Sequence, residues 1–295
     1  MATAPAISGH THLITLIGKP TDHSMSPAIH TYSFAKCGVD AVYLAFDNEL
    51  EAIPDILNAM RQSVGWDGAN VTMPYKQAVV EHLDGLSEAA EIMGAVSVIV
   101  KNQEGKLIGH NADGAGFIGN LRRHGVAIEG ATMTLLGPGG AGGAILVQAA
   151  LDGMKKINVF ARRGGKSYGR AEALIQKTQA ATGCEISLHA FEDIDDLKAC
   201  INESQILANA TNVGMGKDCT DSPVPADFLR GDLVVADAIY LPVRTQLLQD
   251  AEAVGAQTIT GIGMLVEQGA VGERVWYGIE MPVDEVIAMF FAETC

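Results

Sequence analysis

Gly137, Gly139 and Gly142 in the stretch GPGGAGGA have the spacing G-x-G-x-x-G and lie between an apolar run and an alanine-rich one. That spacing does one piece of chemistry: it lets a pyrophosphate settle on backbone N–H groups at the start of a helix. The first glycine permits a tight turn, the second admits the phosphate to the backbone, and the third lets the helix pack closely. Gly140 and Ala141 complete the candidate cofactor turn. A dinucleotide held there is read again about 20 residues further on, where a carboxylate at the end of the next strand selects NAD. This chain has VFARRGGK at that place, with Arg162, Arg163 and Lys166 instead of a carboxylate. Guanidinium groups carry a permanent charge and fixed donors, which suits a 2′-phosphate. NADP is the expected cofactor and NAD the alternative.

Two more side chains are chemical candidates. Lys76 stands close behind Pro74 in GANVTMPYK, so its backbone is held by a rigid neighbour. Asp113 lies in GHNADGAGF, just before a glycine-rich helix start. Each has a plain structural alternative, a solvated charge for Lys76 and a helix N-cap for Asp113. Residue type and spacing leave these readings open. Asn209 and Thr211 follow the apolar run QILANAT and are candidate cofactor-side loop residues, because sites in such sheets lie at the carboxyl ends of strands.

These residues need elements to hold them. HLITLIG, AVYLAF and WDGANVT read as strands, and SPAIHTYSFAKCG and ELEAIPDILNAMRQ read as helices between them. The rhythm predicts an α/β domain with a mainly parallel sheet. Pro27 suits the first turn of a helix that Ser26 caps. A second α/β unit of the doubly wound kind starts near Ala131, with further strands at QILANAT and LVVADAIY. From GMLVEQGAVGERVWYG onward the chain reads as helical and is expected to return to the first domain.

Composition limits the partners. The chain has 295 residues, 48% hydrophobic and 19% charged, enough for two domains, and its formal charge of −15 leaves no basic stripe for nucleic acid or anionic membrane. The cysteines at 37, 184, 200, 219 and 295 are widely spaced and predict reduced thiols. The opening MATAPAISGHTH lacks a basic segment followed by an apolar one, and a cytoplasmic protein is expected. His10, His12, His23, His30, His82, His110, His124 and His189 show no ligand spacing, so no metal is expected. A monomer or a homodimer is equally compatible with the sequence.

Seven stretches, GKPTDHSMSPAIH, GANVTMPYK, GHNADGAGF, GPGGAGGA, ANATNVGM, DAIYLPVRTQLL and GIGMLVEQGA, resemble in order and spacing the signatures of the shikimate/quinate dehydrogenase family. The resemblance implies a substrate domain over residues 1–112, completed by helices from about 265 to 295, facing a Rossmann-type NADP-binding domain over 113–264. It assigns Lys76 and Asp113 to the pair that handles the proton of a ring hydroxyl of shikimate or quinate. It assigns Ser24, Ser26, Thr72 and Gln268 to the substrate's carboxylate and hydroxyls, Tyr240 to the substrate or nicotinamide, and Gly263 and Met264 to the flanks of the nicotinamide ring. Two positions depart from the pattern. Gly-Ala-x-Asn-Thr becomes GAVSV, so Ser97 stands in place of a substrate-binding asparagine, and Asn-Thr-Asp-Gly becomes NADG, so Ala112 replaces a hydroxyl. Buried polar partners of a hydroxyl give strong discrimination, so the departures bear on which cyclic hydroxy acid is used. A paralogue acting on a related acid such as aminoshikimate, and a non-catalytic sensor of the same fold, are the alternatives.

Overall fold

The computed structural model describes residues 7–292. Cys295 and the first six residues of the opening MATAPAISGHTH lie outside the described residues. The chain divides into two units, one formed by the chain up to Ala112 together with Gln268–Phe290, the other by Asp113–Glu267.

The first unit is built from β1 (His12–Ile17), α1 (Ser26–Lys36), β2 (Ala41–Ala45), α2 (Ile53–Gln62), β3 (Trp66–Val71), β4 (Gly85–Leu86), α3 (Glu88–Met93), β5 (Val98–Lys101) and β6 (Leu107–His110). Its sheet runs β2-β1-β3-β5-β6-β4. The first three strands are parallel, as short βαβ crossovers require. β5 then pairs antiparallel with both β3 and β6, so the sheet is mixed rather than mainly parallel. The cause is local. Between β5 and β6 the Asn102 side chain accepts from the N–H groups of Glu104 and Lys106, and Gly105 takes φ 78°. A turn that short can join only antiparallel neighbours. The helix start also differs from expectation. Ser26 is the first helical residue, Pro27 lies in the first turn, and Ser24 Oγ accepts from the Ser26 N–H at 3.2 Å.

Helix α2 buries Ile53, Leu57 and Met60, one face at helical spacing. The opposite face of the sheet receives the later part of α9 (Gly261–Tyr277), a helix that crosses the boundary between the units, and α10 (Val283–Phe290) also belongs to the first unit. Trp276 donates its indole N–H to the Ile99 carbonyl at 2.9 Å. A Cβ on Gly68 would sit 2.7 Å from that indole nitrogen, so glycine is what admits the ring. Beside it, His30 Nδ1 lies 2.8 Å from Glu273 and Ser33 donates to the same carboxylate at 2.6 Å. Both members of the histidine–glutamate pair are buried, with side-chain exposures of 3% and 0%.

The second unit contains α4 (Ala112–Arg123, from its second residue), β7 (Thr132–Leu136), α5 (Gly140–Leu151), β8 (Lys156–Ala161), α6 (Lys166–Thr182), β9 (Glu185–Ala190), α7 (Ile194–Glu203), β10 (Ile206–Asn209), β11 (Val234–Asp237), α8 (Gln246–Ala253) and β12 (Gln257–Ile259). All strands are parallel, in the order β12-β11-β10-β7-β8-β9. Alternate residues feed two cores: Leu135, Ile157, Val159 and Ile206 on one face, Leu136, Phe160, Leu207 and Val235 on the other. Burial on both faces explains why these strands read as continuous apolar runs. Strand order reverses between β7 and β10, which in a doubly wound sheet opens a crevice at their carboxyl ends. Among the described residues, no helix is long and apolar enough to cross a membrane.

Candidate active site

The glycine-rich turn leaves β7 at that crevice. Gly137 has φ 87°, which strains any residue with a Cβ, and a Cβ there would lie 2.7 Å from the Thr211 methyl. A Cβ on Gly142 would lie 1.9 Å from the Gly137 carbonyl oxygen, so the helix can approach the strand only through glycine. At Gly139 and Gly140 a Cβ would meet nothing within 4 Å. The turn is thus tight where it must pack and open above the first turn of α5. There the N–H groups lack intrahelical acceptors and the helix dipole is positive, so these residues fit a pyrophosphate.

Asn209 and Thr211 serve this turn from behind. Asn209 is fully buried. Its Oδ1 accepts from the Thr211 hydroxyl at 2.7 Å and from the Thr211 N–H at 3.0 Å, and its Nδ2 donates to Asp237 at 3.1 Å. The Thr211 hydroxyl oxygen accepts in turn from the Val213 N–H. Both side chains therefore shape the loop after β10. Asp237 is buried, which pushes its carboxyl above the usual range. N–H of Ile239, the Thr245 hydroxyl and Asn209 pull it back.

After β8, Arg162 and Arg163 are exposed and behave differently. The Arg163 guanidinium pairs with Asp193 at 2.9 Å, and its backbone N–H points at the Glu192 carboxylate at 3.2 and 3.3 Å. Arg162 has no ion-pair partner among the described residues, which leaves its guanidinium available to an anion. Lys166 is the first residue of α6. Met264 is buried in the core, 8% exposed, and Tyr240 is half exposed. A Cβ on Gly263 would fall 2.0 Å from Asn120 Oδ1, so the first turn of α9 rests directly on α4.

In the first unit the candidate residues gather at one end of the sheet. β1 and β3 are parallel and β5 runs against them, so the exits of β1, β3 and β6 and the entry of β5 share an edge. Thr72 N–H donates to the Ile17 carbonyl at 2.9 Å, joining the loop of Thr72 and Lys76 to the loop that carries Ser24 and Ser26. Lys76 is part-exposed, and two neighbours fix its backbone. Its carbonyl accepts from Val96 N–H at 2.7 Å, and Tyr75 is buried with its hydroxyl donating to the Asn48 carbonyl at 2.8 Å. The peptide before Pro74 is cis. Gln268 is the first residue of the α9 segment assigned to this unit and is part-exposed.

Ser97 and Ala112, the two departures from the family pattern, meet directly. Ser97 Oγ accepts from the Ala112 N–H at 2.8 Å, with the two residues 5% and 2% exposed. The serine thus satisfies an N–H group at the start of α4, where no intrahelical acceptor exists. Asp113 is the next residue, buried and inside the first turn of α4, so it is not the N-cap that propensity favoured. Sequence reading passed over Asn70 and Asn111. Asn70 bridges the Tyr43 hydroxyl and the Ser97 carbonyl, and Asn111 donates to the Ala95 carbonyl at 3.1 Å. For Asn70 the available signal was an asparagine within the strand Trp66–Val71. Burial alone lowers the acidity range of neighbouring His110, which favours its neutral form.

Outside these places, His189, Asp196 and Cys200 bring possible ligand atoms within 4.8 Å of one another. Spacing of histidines in the sequence did not anticipate this group, because β9 and α7 supply it jointly. His189 Nδ1 is 2.5 Å from Asp196, and burial pushes the Cys200 thiol up to about 11, which keeps it protonated at neutral pH.

A family model described as the shikimate dehydrogenase substrate binding domain matches residues 16–99. A shikimate dehydrogenase (NADP(+)) of Listeria monocytogenes serotype 4b (strain F2365) is 43% identical over 286 residues, 97% of each chain. The crystal structure of a shikimate 5-dehydrogenase from Listeria monocytogenes in complex with shikimate and NAD is similar with a TM-score of 0.92 at 43% identity, covering 97% of this chain and 98% of that one. A quinate dehydrogenase from Corynebacterium glutamicum in complex with NAD is similar with a TM-score of 0.83 at 30% identity, covering 96% and 99%.

Proposed function

This chain belongs to the shikimate dehydrogenase family, and on that premise we propose that Lys76 and Asp113 handle the proton while the enzyme interconverts 3-dehydroshikimate and shikimate with NADP. The observation that carries the reading is the gathering of Thr72, Lys76, Ser97 and Ala112 at one edge of the first sheet, with Asp113 next along the chain. When bound, NADP takes up the hydride from the carbon that bears the reacting hydroxyl. Loss of that hydride leaves the hydroxyl proton needing an acceptor, a role that a lysine amine or an aspartate carboxylate can fill. Ser24, Ser26, Thr72, Gln268 and Tyr240 hold the substrate's carboxylate and remaining hydroxyls. Gly137, Gly139, Gly140, Ala141 and Gly142 hold the pyrophosphate, and Arg162 and Lys166 the 2′-phosphate.

A related cyclic acid such as quinate is the second reading, and the Ser97–Ala112 contact favours it. Two short side chains stand where the family pattern has an asparagine and a threonine, and the serine oxygen already accepts from the α4 N–H. Initial rates of NADP reduction with shikimate, quinate and aminoshikimate separate the readings. Turnover of none of them overturns both. Lys76→Ala and Asp113→Asn are each expected to lower kcat by about 10²-fold or more, and near-normal kcat in either removes that residue from proton transfer.

A further inference from the structure

The end of β8 carries arginines where a carboxylate would select NAD, yet a carboxylate reaches the same turn from another strand. β8 and β9 are parallel neighbours, with Ala161 opposite Ala190, so the turns that follow them lie side by side. Glu192, in the turn after β9, places both carboxylate oxygens against the Arg163 N–H at 3.2 and 3.3 Å. Asp193, the next residue, holds the Arg163 guanidinium at 2.9 Å. In doubly wound sheets the adenosine ribose is read at the end of the strand after the glycine-rich helix, here residues 162–163. One exposed arginine of the pair is therefore engaged by a carboxylate, and a second carboxylate lies against the backbone of the turn where sheets of this kind read the ribose.

We propose that Glu192 is a cofactor-selectivity residue: its carboxylate repels a 2′-phosphate and accepts from a ribose 2′-hydroxyl, so that the enzyme binds NAD as well as NADP. This rests on the dehydrogenase reading above and specifies its cofactor side. Arg162 supplies the attraction for the phosphate, Glu192 the opposition, and Asp193 withholds Arg163 from the contest. A unit charge a few ångströms from a phosphate in a water-exposed turn changes binding by about fivefold to tenfold. The effect weakens with salt, whereas a hydrogen-bond loss does not.

The test is direct binding of NADPH and NADH, followed by nucleotide fluorescence in the full-length protein, with no substrate present. Glu192→Gln keeps an oxygen acceptor for the Arg163 N–H and removes only the charge. It is expected to raise the preference for NADPH over NADH by about fivefold or more at low salt, with a smaller change at 0.5 M salt. Asp193→Asn is expected to shift the preference the same way, and the shift disappears when Arg163 is also changed to Ala. Glu185→Gln, at the opposite end of β9, controls for the general loss of negative charge and is expected to leave the ratio within about twofold. A ratio in Glu192→Gln that stays within twofold of the unaltered protein overturns the proposal, as does an equal shift in the Glu185 control. Failure of the unaltered protein to bind either nucleotide overturns the dehydrogenase reading itself, a result distinct from both.

Discussion

Gly139 and Gly142 lie three residues apart in the same turn and should fail in different ways when changed to alanine. At Gly139 the backbone has φ −75° and ψ −158°, a conformation alanine adopts freely, and the added methyl would meet no protein atom within 4 Å. Folding stability is therefore expected to stay within about 0.5 kcal/mol of the unaltered protein, or to rise slightly through loss of unfolded-state freedom. The methyl instead fills the open space above the first turn of α5. Displacing a phosphate oxygen from a backbone N–H removes a charge-assisted hydrogen bond of about 1.5–3 kcal/mol, so NADPH affinity is expected to fall about 10- to 100-fold. At Gly142 the methyl would lie 1.9 Å from the Gly137 carbonyl oxygen, which must retreat by about 1.5 Å to reach ordinary contact at 3.4 Å. That atom is backbone at a left-handed turn and has no side-chain rotamer to yield. Overpacking of this kind costs about 1–3 kcal/mol, and the distortion carries the pyrophosphate turn with it. Urea unfolding combined with NADPH fluorescence titration reads both quantities. Gly139→Ala binding as tightly as the unaltered protein, or Gly142→Ala unfolding at the same urea concentration, would refute the assignment of the turn.

Other perturbations test parts of the fold that support the site. His30→Ala leaves the fully buried Glu273 carboxylate with only the Ser33 hydroxyl, and breaking such a pair costs about 3–5 kcal/mol. A loss under 1 kcal/mol in urea unfolding would refute this account of the pair, while the double change His30→Phe, Glu273→Leu is expected to be milder than His30→Ala alone. His110 is held neutral by burial, below its ordinary range. As pH falls through about 6.5 the unfolded chain gains a proton that the folded chain refuses, so stability declines on acidification. Replacing His110 with Gln is expected to flatten the urea midpoint between pH 7 and pH 5, and an unchanged slope refutes the assignment. Burial pushes the thiols of Cys184 and Cys200 up to about 11 each, so a disulfide reagent at pH 8 is expected to leave both unmodified until urea is added. Rapid labelling of either in the folded protein, mapped by mass spectrometry, contradicts this.

Features fixed within one turn were legible in the sequence. The glycine spacing, the apolar strand before it and the arginines after the next strand specify the second unit's crevice, because each acts through its own backbone within a few residues. The first sheet was less legible. Its first three strands alternate with helices in plain view, whereas the antiparallel return at β5 and β6 depends on Asn102 and Gly105, two residues that also occur in ordinary loops. The commitment of Asn209 was hidden because its partner Asp237 lies 28 residues further along the chain. Glu192 was hidden in the same way, 29 residues beyond the N–H it approaches. Local sequence reports the shape of a turn, and long-range pairing decides which charges face it.

Ser97 and Ala112 show how the two levels combine. Taken singly, each departure removes a polar contact from the substrate edge. Taken together, the serine oxygen accepts from the very N–H at position 112 that begins the helix leading to Asp113. The departures are thus one structural unit, and their effects should not add. Ser97→Ala leaves the Ala112 N–H buried without an acceptor, a cost of about 1–3 kcal/mol, and loosens the first turn that holds Asp113. Ser97→Asn together with Ala112→Thr rebuilds the family pattern and is expected to restore an acceptor at that edge. If the pair sets substrate choice, the double variant shifts the ratio of shikimate to quinate turnover by far more than the two single variants combined. Additive, small shifts would instead mean that the contact merely seats the helix and that selectivity resides elsewhere on the sheet edge.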